Sequence, residues 1–152
     1  MKKLVYIIIL VLITGVVTMR VIENNTAPKL GVVNGELKPL GSRPNSVSTQ
    51  TDQKSKLVKS IAFEGEVNEQ MANIAKVLAE MPGASIKQQD DDYVYAVFTS
   101  SLMRFKDDVE VFIDAQEKRV HFRSASRVGY SDLGVNRKRY EEFAKRLSAA
   151  GE

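Results

Sequence analysis

The 152-residue chain has no cysteine and a single histidine, His121. The first absence excludes disulfides, thiolate metal sites, a cysteine nucleophile and a lipid-modified cysteine behind a leader. A domain so built must stand on packing alone. The Gly-x-Ser-x-Gly pattern of a nucleophile elbow is missing too. Charge of one sign is scarce outside the N-terminus. Setting aside Lys2, Lys3 and Arg20, 19 of the 22 basic residues remain against 19 acidic ones. A formally neutral domain has no basic excess for tracking phosphates, so nucleic acid is excluded as a partner. Nothing implies a cofactor. Asp90–Asp91–Asp92 lacks the alternating carboxylates and distal ligand of a calcium loop and reads as a solvated turn, leaving no metal site.

One long apolar run is present. Lys2 and Lys3 precede an uninterrupted stretch from Leu4 to Met19, which Arg20 ends. About 20 apolar residues comfortably span a bilayer; the run is shorter, but Arg20 can snorkel and let Val21 and Ile22 extend it. Small residues that would mark a cleavage site are lacking, so residues 1–22 are expected to be an uncleaved signal anchor, with secretion after cleavage as the alternative. Lys2 and Lys3 place the N-terminus inside and the rest of the chain outside. The expected location is a bacterial inner membrane with the domain facing the periplasm.

Residues 23–56 are rich in Asn, Thr, Pro, Gly and Ser without lasting periodicity, which predicts a tether and loop. Residues 57–152 then read as an α+β domain. Leu57 to Phe63 suggests a short strand. Val67, Met71, Ile74, Ala75 and Leu78 recur at helical spacing, and Met81-Pro82-Gly83 stops the helix, which predicts Val67–Glu80. Ser85–Gln89 and Tyr93–Thr99 are expected strands, and Tyr140, Phe143, Ala144 and Leu147 mark a closing helix. About four antiparallel strands covered by two amphipathic helices are expected.

A hairpin turning at Ala115–Lys118 would pair Asp114 with Arg119, Phe112 with His121 and Glu110 with Arg123, and on the other face Ile113 with Val120 and Val111 with Phe122. Arg123 and His121 thereby acquire structural readings, as an ion-pair partner and a residue of a charged outer face. Extended further, the apolar face continues into Val109 opposite Ser124 and Asp107 opposite Ser126. There the core turns polar, and its groups need partners from the Arg43–Ser48 loop, the turn after Arg127, water or a ligand. Asp132 or Asn136 is suited to cap the closing helix. The Arg137-Lys138-Arg139 cluster reads as a solvated face that can touch anionic headgroups.

Three segments, "RPNSVSTQ" (Arg43 to Gln50), "FKDDVEVFID" (Phe105 to Asp114) and "RSASRVGYSDLGVNRKR" (Arg123 to Arg139), resemble the bacterial and plant family called domain of unknown function 1499, over roughly residues 30–152. The resemblance implies an exported or membrane-tethered domain and no established activity. By that likeness the shared feature comprises Arg43, Pro44, Asn45, Ser48, Asp107, Asp108, Ser124, Ser126, Arg127, Gly129, Asp132, Gly134, Asn136 and Arg137. Many members carry cysteine where this chain has Ser46.

The expected function is therefore a membrane-tethered binding or accessory domain. Its candidate seat is one polar corner of Arg43, Asn45, Ser48, Asp107, Ser124, Ser126, Arg127, Tyr130, Asp132, Asn136 and Arg137, holding a small polar ligand or a segment of an envelope protein. A structural, scaffolding role for the same corner is the alternative. A hydrolase using Ser46 or Ser48 with His121, or the carboxylates of Asp107 and Asp108, is a third reading. No catalytic residue is assigned.

Overall fold

A computed structural model of the chain describes residues 2–150. The apolar run forms one helix, α1 (Lys2–Asn25), with no buried residue. Among the described residues it is the one helix long and apolar enough to cross a membrane. Next comes a small hairpin, β1 (Val32–Val33) with β2 (Glu36–Leu37). Asn34 and Gly35 turn it with φ of 53° and 78°, the paired positive values that match the twist of a tight hairpin.

Then follow β3 (Ser46–Ser48), β4 (Ile61–Ala62), α2 (Val67–Glu80), β5 (Ala84–Gln89), β6 (Tyr93–Thr99), β7 (Lys106–Asp114), β8 (Arg119–Ser126) and α3 (Val135–Ala150). The main sheet is antiparallel and six-stranded, in the order β3-β8-β7-β6-β5, with β4 also paired to β8. The α+β class is as expected, but the sheet exceeds about four strands. β3 and β4 are only three and two residues long. Pieces that short carry no readable alternation; they become strands by completing the free edge of β8. Of the expected Leu57–Phe63 strand only Ile61–Ala62 is extended in the sheet, with a lone bridge from Leu57 to Ser48.

The β7–β8 register is the one the charge and apolar pattern predicts, from Asp114 opposite Arg119 to Asp107 opposite Ser126. Both long domain helices lie on one face. Met71, Ile74, Val77 and Leu78 of α2 and Phe143 and Leu147 of α3 close over Val94, Ala96, Val109, Val111, Ile113, Val120 and Phe122. The Phe122 ring meets Tyr140 edge-on at 5.4 Å and Phe143 at 5.1 Å between centroids. After α2, Gly83 has φ of +81°, and a Cβ there would stand 2.7 Å from the Thr99 carbonyl oxygen. No other residue fits that crossing onto β5.

The opposite face is not solvated. Tyr93 and Phe112 form a second small core with Leu37, to which Val32 and Tyr95 add. Residues 31–37, predicted as tether, are the cover, which is why the cross-strand charges beneath them are buried.

Candidate functional site

A strand's side chains alternate between faces. Ser124 and Ser126 therefore point with Phe122 toward the helices, whereas Arg123 and Arg127 point the other way. The predicted single corner is two networks on opposite sides of the sheet.

The first network closes the helical core at its polar end. Asn136, the second residue of α3, is fully buried at 0% exposure. Its amide donates to the Asn45 carbonyl oxygen at 2.9 Å and to Ser126 Oγ at 3.0 Å. Its Oδ1 accepts from Ser124 Oγ and, at 2.6 Å, from Arg139. Arg139 also donates to Ser124 Oγ at 3.0 Å and to Asp107 Oδ2 at 2.7 Å, with its guanidinium 4.6 Å from the Phe98 ring centroid. Asn45 Nδ2 donates to the Gly129 carbonyl at 3.0 Å. These groups satisfy one another and fasten β3 and α3 to the sheet.

The second network sits where α1 ends. Arg127 donates from Nε to both oxygens of Asp108, at 3.1 and 2.9 Å, and from Nη2 to Asp108 Oδ1 at 2.7 Å and to Tyr95 Oη at 3.0 Å. Its Nη1 donates to the Asn24 carbonyl at 3.1 Å. A guanidinium thus caps the open carbonyls of the apolar helix, where the helix dipole favours a cation. Asn24 also donates to the Arg104 carbonyl and accepts from the Lys106 N–H, both at 2.9 Å, and Lys106 Nζ reaches Asn25 Oδ1 at 2.8 Å. Segment 23–25, expected as part of a tether, is helix joined directly to the domain. One step further along the face, Glu110 accepts from Arg123 at 2.9 Å, Tyr93 at 2.9 Å and the Gly31 N–H at 3.0 Å.

The charges follow from these contacts. The hydrogen bond to Asp108 holds the Arg127 guanidinium above its ordinary range despite burial. Burial and then the hydrogen bond to Asp108 push the Tyr95 phenol up to about 12. Tyr93 is raised further, by burial and by Glu110. Burial lowers His121, whose ring stacks on Phe112 at 6.2 Å, against the opposing pull of Asp114 and Glu117.

Of the remaining predicted residues, Asp132 is the cap. Its carboxylate accepts the Gly134 N–H at 3.1 Å and the Asn136 N–H at 2.7 Å. Arg137 donates to the Ser55 and Leu57 carbonyls, tying α3 to the long loop. Ser48 Oγ accepts the Gln50 N–H. Tyr130 is 75% exposed, and Arg43 is a surface residue 3.9 Å from Glu23. Ser46 is buried in β3 and lines a small cavity of about 160 Å³ with Pro44 and Arg137.

Sequence reasoning missed Arg139, Tyr95 and Asn24. Arg139 was assigned to a solvated face, but its position three residues after Asn136 brings it over the same serine. For Arg127 a signal existed: four residues beyond Arg123, it must share the face of the Glu110 pair.

For hydrolysis the geometry offers little. His121 Nδ1 lies 3.2 Å from Thr49 Oγ1, and neither Ser46 nor Ser48 is bonded to it. Asp107 and Asp108 belong to different networks. Asp114, Glu117 and His121 bring three potential metal-ligating atoms within 4.8 Å at the hairpin turn, yet Asp114 Oδ1 already accepts the Gln116 and Glu117 N–H groups.

A cleft of about 570 Å³ opens beside Arg127, between the last turns of α1 and the sheet. Met19, Ile22 and Pro28 form one wall and Arg123, Ala125 and Arg127 the other. Among the described residues, Arg123 Nε is the one buried side-chain polar atom without a hydrogen-bond partner. An apolar body carrying an acceptor is the chemistry these walls suit. A family model described as "Protein of unknown function (DUF1499)" matches residues 36–147. No curated protein and no solved structure matches the chain.

Proposed function

The chain belongs to the DUF1499 family, and from that premise we propose that it is a membrane-anchored binding module whose ligand seat is the cleft between anchor helix and sheet. Lys2 and Lys3 orient α1 with its N-terminus in the cytoplasm, leaving the domain on the periplasmic side of a bacterial inner membrane. The observation that carries the reading is the joint itself. Arg127 ties the last turn of α1 to Asp108 and Tyr95, so one wall of the cleft is anchor and the other is domain. A cleft built that way lies at the headgroup level, within reach of amphipathic molecules. A cationic Arg123 on the sheet wall supports a ligand that brings an acceptor.

Full-length protein released gently from its own host's membrane, beside an Ala125→Phe variant that fills the cleft, tests this by native mass spectrometry. A bound species in the wild type and its loss from a folded variant is the expected result. The intact mass also reads whether residues 1–22 are retained. Bare protein in both samples favours the second reading, a scaffolding domain of the envelope. The observation behind that alternative is the first network, in which Asn136, Arg139, Ser124, Ser126 and Asp107 saturate one another.

A further inference from the structure

Among the described residues, eight large apolar ones outside α1 are substantially exposed: Val33, Leu57, Leu102, Met103, Phe105, Tyr130, Leu133 and Val135. The last six cluster at two connections, Leu102, Met103 and Phe105 in the β6–β7 turn and Tyr130 and Leu133 in the segment between β8 and α3, with Val135 opening α3. Both leave the same end of the sheet, because Asp107 and Ser126 are paired and the Arg127 N–H donates to the Lys106 carbonyl at 3.0 Å. That is also the end on which α1 docks. Asn24 bonds the backbone on both sides of Phe105, at the Arg104 carbonyl and the Lys106 N–H.

Depth follows from helix geometry. Leu4 to Ile22 at 1.5 Å per residue covers roughly 28 Å, close to the ~30 Å of a hydrocarbon core. Asn24 then stands at the outer headgroups, and the β6–β7 turn it holds stands there with it. Leu102 is 87% exposed, and Met103 and Phe105 flank the basic Arg104 ahead of Lys106. Apolar side chains that enter the acyl boundary beside cations that meet phosphate are the composition of an interfacial contact.

We infer that the β6–β7 turn, Ser100 to Phe105, is a second membrane contact, inserting Leu102, Met103 and Phe105 into the outer leaflet of the bilayer that α1 spans. The inference rests on the anchor reading above. With two points of attachment the domain is held at a set tilt, with the anchor-side cleft facing the lipid surface.

The chain contains no tryptophan, so a single one reports without background. Full-length Leu102→Trp, and Gln116→Trp at the exposed turn at the opposite end of the β7–β8 hairpin, would be reconstituted in phosphatidylethanolamine and phosphatidylglycerol vesicles, with and without brominated acyl chains. Flotation of the vesicles reports whether the anchor is inserted. Emission from Leu102→Trp is expected to fall about twofold in brominated bilayers, since interfacial groups sink roughly 5–10 Å below the headgroups; Gln116→Trp should be unaffected. Equal emission in both bilayers at position 102, in protein that floats, overturns the inference while leaving the anchor intact and frees the turn for a protein partner. Protein that fails to float refutes the anchor reading and the inference with it.

Discussion

The two faces of the central sheet are made from the same strands and are held by different physics. On the helical face, Val109, Val111, Ile113, Val120 and Phe122 pack under α2 and α3, and polar groups appear only at the end, where Asn136 and Arg139 close the network. On the other face the rows are mixed: Phe112 beside His121, Tyr93 over Glu110 and Arg123, Tyr95 over Asp108 and Arg127. Their cover is the small β1–β2 hairpin and the end of α1, not an amphipathic helix. A face of paired charges needs a lid that supplies hydrogen bonds, which Gly31 and Asn24 do through backbone and side chain. An apolar face needs volume, which helices supply best.

The largest separation between the faces should come from Phe122→Ala. Phe122 is fully buried against Tyr140 and Phe143, so removing its ring should cost about 3–5 kcal/mol. Denaturant unfolding of the full chain in micelles measures it; a loss comparable to a surface substitution would contradict the assigned core.

On the charged face the expected effect depends on how the pair is broken. Arg127→Ala leaves Asp108 buried without its cation and should cost about 3 kcal/mol. Replacing both, Arg127→Met with Asp108→Leu, should recover most of that, because two charges no longer need desolvation. If the double variant is as unstable as the single, Arg127 stabilises through Asn24 and Tyr95 more than through its ion pair.

The smallest effect is in pH. Burial lowers the folded-state affinity of His121 for a proton relative to its ordinary value of 6.5. The unfolded chain therefore binds more protons as pH falls below that value, and stability declines toward acid; above it the contribution is fully present. Unfolding midpoints followed from about pH 8 to about pH 5 should show this decline, and His121→Gln should flatten it. An unchanged slope in the variant would assign the acid sensitivity to the carboxylates.

Much of the fold was legible in particular residues. Met71, Ile74 and Leu78 with the Met81-Pro82-Gly83 stop bounded α2 at Val67–Glu80, and cross-strand charge matching set the register of β7 and β8. Both are local signals, a helical period and a period of two, that any neighbours would have to respect. β3 and β4 were not legible, since a three-residue strand is defined by the edge it joins. The candidate site was legible as residue types and misread as one place, because reading alternation through the end of β8 would have sent Arg127 away from Ser124 and Ser126.

By itself, then, the sequence determined an apolar N-terminal helix, an α+β domain, a registered hairpin and the polar ending of its core. The tertiary structure alone decided that residues 31–37 bury the charged face, that Arg139 and not Arg127 completes the core-side network, and that Arg127 grips the end of α1. The physical reason is range. Periodicity and pairing act between neighbours along a helix or across a hairpin, whereas Asn24 and Arg127 are 103 residues apart and meet only once the sheet has formed.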